Sequence, residues 1–462
     1  MTWILAISFL IGAAAWGYWS NRHDRDWAKA VLVFLLCTWP VAAGICPFFT
    51  GIRNPVYIVL AILSFAWPRK NSSTAGARVF HPALLCFLTL LSVSALWAMN
   101  RQDAALRTGG LLLIFAFVWN LLLTTDKDRI VSWLGGGLLC ASYATLVIVV
   151  LAGRLPDSVG QDGRLQFSNE LKATGTASMC MWAFVRLFAE SMIPRGSRRL
   201  LHFLGVGLAL WAMLQTGTRG TIIQAMFVLP LLVTIRFSAQ DALSLASGYA
   251  QYFFAMLIVL VAVWTLTKGE TKAGYVEKYR MGEGAGILDS RAEVWQAAMQ
   301  KAKEKPWLGR GFGSSSFYEW TDEDYEVVSS NVITDRTTVH NQYVEIFYEF
   351  GVLGLLAFGW VLVAASFNAG RIFLSYRGPQ VGLWRMLAAY VLVGMLEGFS
   401  HGGHISTGQA ETVRRWILYC CVLALPVVSD AGRRALRRPR QTSGNPRRST
   451  TPVDPAATAP LR

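Results

Sequence analysis

The run Thr338-Val-His340-Asn341-Gln-Tyr343 stands where a long polar stretch gives way to a new apolar one. A histidine at such a boundary titrates near neutrality and can take a proton from a hydroxyl group. The dipole of the helix that begins around 341–344 disfavours imidazolium, and neighbouring arginines act in the same direction, so His340 is expected to be a neutral, competent base. Its other available role is to hydrogen-bond loop backbone and pin the start of the helix. Arginines supply the complementary chemistry. Arg219 lies in a tight Thr216-Gly-Thr-Arg219-Gly turn between two apolar segments. A cation is costly there and is expected to have an anionic partner. Arg164 and Arg291 lie in other polar links. Guanidinium groups bind phosphate-type anions in bidentate fashion and neutralise charge as it develops. Together these residue types describe a reaction centre at a membrane surface.

Several further groups could support such a centre. Glu345 and Glu349 are spaced i, i+4 and share a helix face, where they could orient an arginine or the histidine. Glu397 is an acid within the apolar run 384–400 and is a functional candidate by position. Asn341, Tyr343 and Arg310 complete the set. Arg186 and Glu190 form an i, i+4 pair that reads as structural. His401 and His404 are separated by two glycines, which argues against a helical metal pair. The remaining metal candidate, Asp322-Glu-Asp324, sits in an acidic run that reads as solvated. No metal and no cofactor are expected.

The elements that must position these residues are apolar. Of 462 residues, 53% are hydrophobic and 15% charged, against about 25% charged in soluble domains. About thirteen apolar stretches can be counted, several of them near the roughly 20 residues that span hydrocarbon. No alternating barrel pattern is present. The fold class is therefore an all-α polytopic membrane protein with about twelve transmembrane helices and one large, partly helical loop. Residues 1–267 hold transmembrane helices with short links, 268–343 the large loop, 344–430 the last helices, and 431–462 a basic cytoplasmic tail expected to be disordered. The first apolar stretch lacks a basic leader and a small-residue cleavage site and reads as a retained helix. The net charge of +15 does not indicate nucleic-acid binding, because seven arginines fall between 433 and 448, in that tail. Six of seven cysteines lie inside apolar runs, so no disulfide framework is indicated.

Orientation follows from the basic links. With the tail inside, 371–385 and 194–199 are also inside, and both are basic as the positive-inside rule expects. The large loop, the Arg219 turn and the 153–172 link are then outside. Arg164, Arg219, Arg291 and His340 fall on that one side. Twelve segments put the amino terminus inside; thirteen put it outside.

Three patterns resemble the O-antigen ligase and polymerase superfamily of bacterial envelope enzymes. They are the Arg219-Gly turn; Ser290-Arg291-x-x-x-Trp295 followed by Pro306-Trp-Leu-Gly-Arg-Gly-Phe-Gly313; and His340-Asn341-x-Tyr343 followed by Glu349-Phe-Gly351-Val-Leu-Gly354. Gly163-Arg164 with Asn169 is a looser likeness. The resemblance covers about a third of the chain. It implies a bacterial inner-membrane enzyme whose active site faces the periplasm. The donor would be a glycan on undecaprenyl pyrophosphate. In the ligase branch, which is favoured, the acceptor is lipid A–core oligosaccharide and the product lipopolysaccharide. Arg219, Arg291 and Arg164 would hold the donor pyrophosphate, and His340 would act on the acceptor hydroxyl. A polymerase or a protein O-oligosaccharyltransferase of the same superfamily is the related alternative. A transporter or lipid flippase is the alternative of another class, but it predicts midplane charges and internal repeats, neither of which is evident.

Overall fold

The computed structural model describes residues 2–24, 26–46, 81–98, 100–151, 173–192, 198–216, 218–233, 298–314, 341–375, 380–400 and 410–423, together with a few isolated positions. These form eleven helices: α1 Thr2–Asn21, α2 Trp27–Ile45, α3 Pro82–Ser94, α4 Arg101–Thr124, α5 Lys127–Leu151, α6 Ala173–Ser191, α7 Arg198–Gln215, α8 Arg219–Val233, α9 Gln342–Ser375, α10 Val381–Ser400 and α11 Ala410–Leu423. All belong to the unit Met1–Ala424. Six of the described helices are long and apolar enough to cross a membrane. The fold is all-helical, and the protein is a multi-pass membrane protein.

Local sequence sets the helix starts. Pro82 at the first turn of α3 follows His81, whose ring accepts from the Ala83 N–H at 3.2 Å. Asn100 caps α4 by accepting from the Asp103 N–H at 3.0 Å. Small residues set the packing. Gly135, Gly136 and Gly137 let α5 approach its neighbours: a Cβ at Gly136 would come within 2.5 Å of the Phe34 ring, and one at Gly135 within 2.8 Å of Leu383. The outward face of α9 carries Leu353, Leu356, Trp360, Val363 and Phe367, all exposed at helical spacing, while Ala357, Phe358, Val361 and Ala365 are buried. An exposed stripe of that size is stable against lipid rather than water.

Contacts along the helices give their directions. Asn21 accepts from the Trp133 indole at 2.9 Å and Trp16 lies 6.2 Å from Tyr143, so α1 and α5 run antiparallel. Arg186 on α6 donates to the Gly135 carbonyl at 2.9 Å, and Trp384 on α10 to Asp128 at 2.8 Å. One end of the bundle thus holds the ends of α1, α4, α6 and α9 and the starts of α2, α5, α7 and α10. It gathers Arg22, Lys29, Lys127, Arg129, Arg199 and Arg385. The opposite end holds the starts of α6, α8, α9 and α11 and the end of α10. Thr2 also lies at that second end.

Candidate functional site

The second end of the bundle holds the described candidates. Asn341 caps α9: its Oδ1 accepts from the N–H groups of Tyr343 at 3.0 Å and Val344 at 3.2 Å. The Tyr343 hydroxyl donates to the Met395 carbonyl at 2.9 Å, tying the start of α9 to the end of α10. A Cβ at Gly398 would lie 3.2 Å from Gln342 Oε1 and 3.4 Å from the Tyr343 hydroxyl, so a glycine there lets the two helices close.

Two residues along from Met395, Glu397 makes a buried ion pair. Its Oε2 lies 2.5 Å from Arg415 Nη2, and its Oε1 accepts from the Ser178 hydroxyl at 2.9 Å. Glu397 and Arg415 are 1% and 3% exposed. The cluster joins α6, α10 and α11. A charge pair so deeply buried costs several kcal/mol of desolvation per ion, on the order that close pairing and a further hydrogen bond offset. Arg415 and Ser178 are absent from the sequence expectations. A signal existed for the first: an acid in an apolar run requires a partner, and Arg414-Arg415 are the next cations in the chain.

The motif Pro306–Gly313 docks against α9 by a reciprocal exchange of backbone hydrogen bonds. Gly351 has φ 64° and ψ −158°, which kinks the helix. In a regular helix the N–H groups of residues 352 and 353 would bond the carbonyls of 348 and 349. Here Val352 N–H donates to the Pro306 carbonyl at 2.8 Å and Leu353 N–H to Trp307 at 3.2 Å. The released carbonyls of Tyr348 and Glu349 accept from the N–H groups of Arg310 at 3.0 Å and Gly311 at 2.8 Å. All four groups broken out of the helix are thereby satisfied. Gly309 and Gly311 also have positive φ, 65° and 95°; a Cβ would strike the Glu349 carbonyl at the first and Ala98 at the second. Phe312, stacked on Phe350 at 5.8 Å, fastens the loop to the core. The Arg310 guanidinium pairs with Glu304 and lies 5.7 Å from the centre of the Tyr348 ring. Arg310 is therefore engaged in anchoring this loop. Glu349 is buried and Glu345 half-buried on the same helix.

The structure thus brings Asn341, Tyr343 and Glu397 to one end of the bundle. Arg219 is the first residue of α8, at the same end, because α7 starts beside the end of α6, where Arg199 donates to the Ser191 carbonyl at 3.2 Å. Leu165, one residue beyond Arg164, donates its N–H to the Gln215 carbonyl at 3.2 Å. The 153–172 link therefore reaches the Arg219 turn at that point. His340, Arg164 and Arg291 lie outside the described residues, as do Asp322, Asp324, His401 and His404. The Arg186–Glu190 pair, 2.6 Å apart and buried, binds α6 to α5 away from this end, in keeping with a structural role.

No curated protein matches the chain. Residues 204–359 match the family described as O-Antigen ligase. That segment runs from α7 through the kink of α9 and contains Arg219, Arg291, Arg310, His340, Asn341, Tyr343, Glu345 and Glu349. The match covers about a third of the chain and supports its likeness to the O-antigen ligase and polymerase superfamily, without separating the ligase branch from the polymerase branch.

Proposed function

We propose that the protein is an O-antigen ligase that transfers a glycan from undecaprenyl pyrophosphate to a hydroxyl of lipid A–core oligosaccharide. One observation carries this reading. The family match spans the three motif positions, and two of its anchors, the start of α8 at Arg219 and the start of α9 beside His340, lie at one end of the bundle. The opposite end is basic, which supports a cytoplasmic assignment there and a periplasmic site here. Inner-membrane localisation follows from the same reading.

In the reaction the acceptor hydroxyl attacks the anomeric carbon of the donor glycan. The bond between that carbon and the pyrophosphate oxygen breaks, and the electron pair leaves with the lipid pyrophosphate. Arg219, Arg291 and Arg164 take up the charge that grows on the leaving phosphate oxygens. His340 receives the acceptor proton or aligns the hydroxyl that loses it. Because the donor is already activated, neither nucleotide nor metal enters the scheme. Asn341 holds the first turn of α9, and the Glu397–Arg415–Ser178 cluster fixes α10 and α11 beside it. The start of α9 and the end of α10 are thereby held together.

The test is incubation of purified protein with lipid-linked glycan, with and without lipid A–core. Glycan joined to lipid A–core is the expected product. Lengthened lipid-linked glycan in the absence of lipid A–core would replace the ligase by a polymerase. No transfer under either condition would overturn the glycosyltransferase reading.

A further inference from the structure

Helix α9 is longer than a bilayer needs. Its apolar part, Gln342–Leu374, has 33 residues, about 50 Å of helix against about 30 Å of hydrocarbon. Exposure shows which part meets lipid. None of residues 342–352 is exposed, and the exposed apolar stripe begins at Leu353. Arg371, whose guanidinium lies 5.8 Å from the centre of the Phe367 ring, marks the far end of that stripe. From Leu353 to Arg371 the helix rises about 27 Å, close to the hydrocarbon thickness. The kink at Gly351 therefore sits at the boundary of the bilayer.

The loop docked at that kink carries an apolar tip at the same level. Gly309 N–H donates to the Lys305 carbonyl at 2.9 Å and closes a turn that projects residues 306–308. Trp307 is 65% exposed and Leu308 45%. The Trp307 carbonyl accepts from the N–H of Leu353, the first residue of the lipid-facing stripe. The tip thus continues that stripe beyond the helix. Lys303 and Lys305 are exposed just before the tip, and the acid between them, Glu304, is paired with Arg310. An exposed tryptophan and leucine beside lysines make a poor surface for water. They match a lipid interface, where the apolar side chains enter the acyl boundary and the ammonium groups meet anionic headgroups. Tryptophan is enriched at that depth for the same reason.

We propose that the turn 303–308 is a membrane anchor, in which Trp307 and Leu308 insert into the lipid beside α9 and Lys303 and Lys305 bind the headgroups of anionic phospholipid. The inference rests on the placement of α9 in a membrane and not on the transferase reading. Lipid at its tip and four backbone bonds to α9 then hold the loop at one height over the bilayer.

The experiment measures nitroxide depth on the full-length protein in nanodiscs of phosphatidylethanolamine and phosphatidylglycerol. A spin label is placed at Trp307→Cys and, separately, at Leu308→Cys, and the signal of the chain without an added cysteine is subtracted. Relaxation by oxygen, which partitions into lipid, is compared with relaxation by a nickel chelate, which stays in water. The labels should lie about 5–10 Å into the boundary between headgroups and acyl chains. A label at Val363→Cys, about 15 Å along α9 from Leu353, should lie deeper. A tip label relaxed mainly by the nickel chelate overturns the anchor. A tip label shielded from both reagents means that protein covers the turn, and overturns it as well. Should Trp307→Cys fail to fold, Leu308→Cys gives the same reading. Lys303→Glu combined with Lys305→Glu should move the Leu308→Cys label outward by several Å, as should exchange of phosphatidylglycerol for phosphatidylcholine. A depth unchanged by both overturns the role of the lysines. None of these measurements requires turnover, so failure of the anchor and failure of the transferase reading give different results.

Discussion

Replacing Gly309 by alanine should release the docked loop from α9, and the structure gives the size of the effect. Residue 309 has φ 65°, a left-handed conformation that costs an L-residue about 1–2 kcal/mol. The added Cβ also falls on the Glu349 carbonyl, so the loop must move away. That movement takes the N–H groups of Arg310 and Gly311 from the carbonyls of Tyr348 and Glu349, at about 1 kcal/mol for each bond. The sum is about 3–4 kcal/mol, which corresponds to about a 10²–10³-fold rise in local opening. Amide hydrogen exchange on the full-length protein in detergent measures this directly. The amides of 310, 311, 352 and 353 should lose protection together, because their four bonds form one reciprocal unit. Gly359→Ala is the control. It lies in the interior of α9 with no atom within 4 Å of the added Cβ, and alanine there should stabilise the helix by about 0.5–1 kcal/mol. Unchanged protection of the four amides in Gly309→Ala would refute the account of the clamp. Loss of protection at 310 and 311 with 352 and 353 intact would refute its reciprocity.

The other expectations address the site. Glu397→Gln leaves Arg415 charged and buried and should cost about 3–5 kcal/mol of stability, whereas Glu397→Leu combined with Arg415→Met should cost much less; additive losses in a double-mutant cycle would count against the pair. Arg219→Ala and Arg291→Ala should each reduce transfer by about tenfold or more, with lysine a poor substitute because it lacks the planar fork; near-native turnover at normal expression would remove these residues from the donor site. His340→Ala should lower transfer by about 10²–10⁴ while donor binding holds. If donor binding weakens and transfer persists, His340 is a donor ligand; if neither changes, it only pins the start of the helix. Transfer should persist in excess EDTA without added ATP, and activity lost to chelation and restored by one metal would contradict the arginine-based scheme.

The sequence by itself determined the helical membrane class, because a run of apolar residues near bilayer length has few other stable fates. It also marked the start of α9. A polar Asn341 directly before an apolar run is a capping signal, and the structure uses it as one. Glu397 was legible as a singular residue for the same reason, since charge within an apolar segment demands compensation. What compensates it was not legible. Arg415 and Ser178 lie 18 and 219 residues away in the chain, and only the packing of α6, α10 and α11 brings them to one carboxylate. Tertiary structure likewise decided why Gly309, Gly311 and Gly351 recur in two separate motifs. Each motif alone reads as a glycine-rich turn. Together they exchange four backbone hydrogen bonds across a kinked helix. Pairing between distant backbone segments depends on which carbonyls a kink has freed, and one-dimensional spacing carries no record of that.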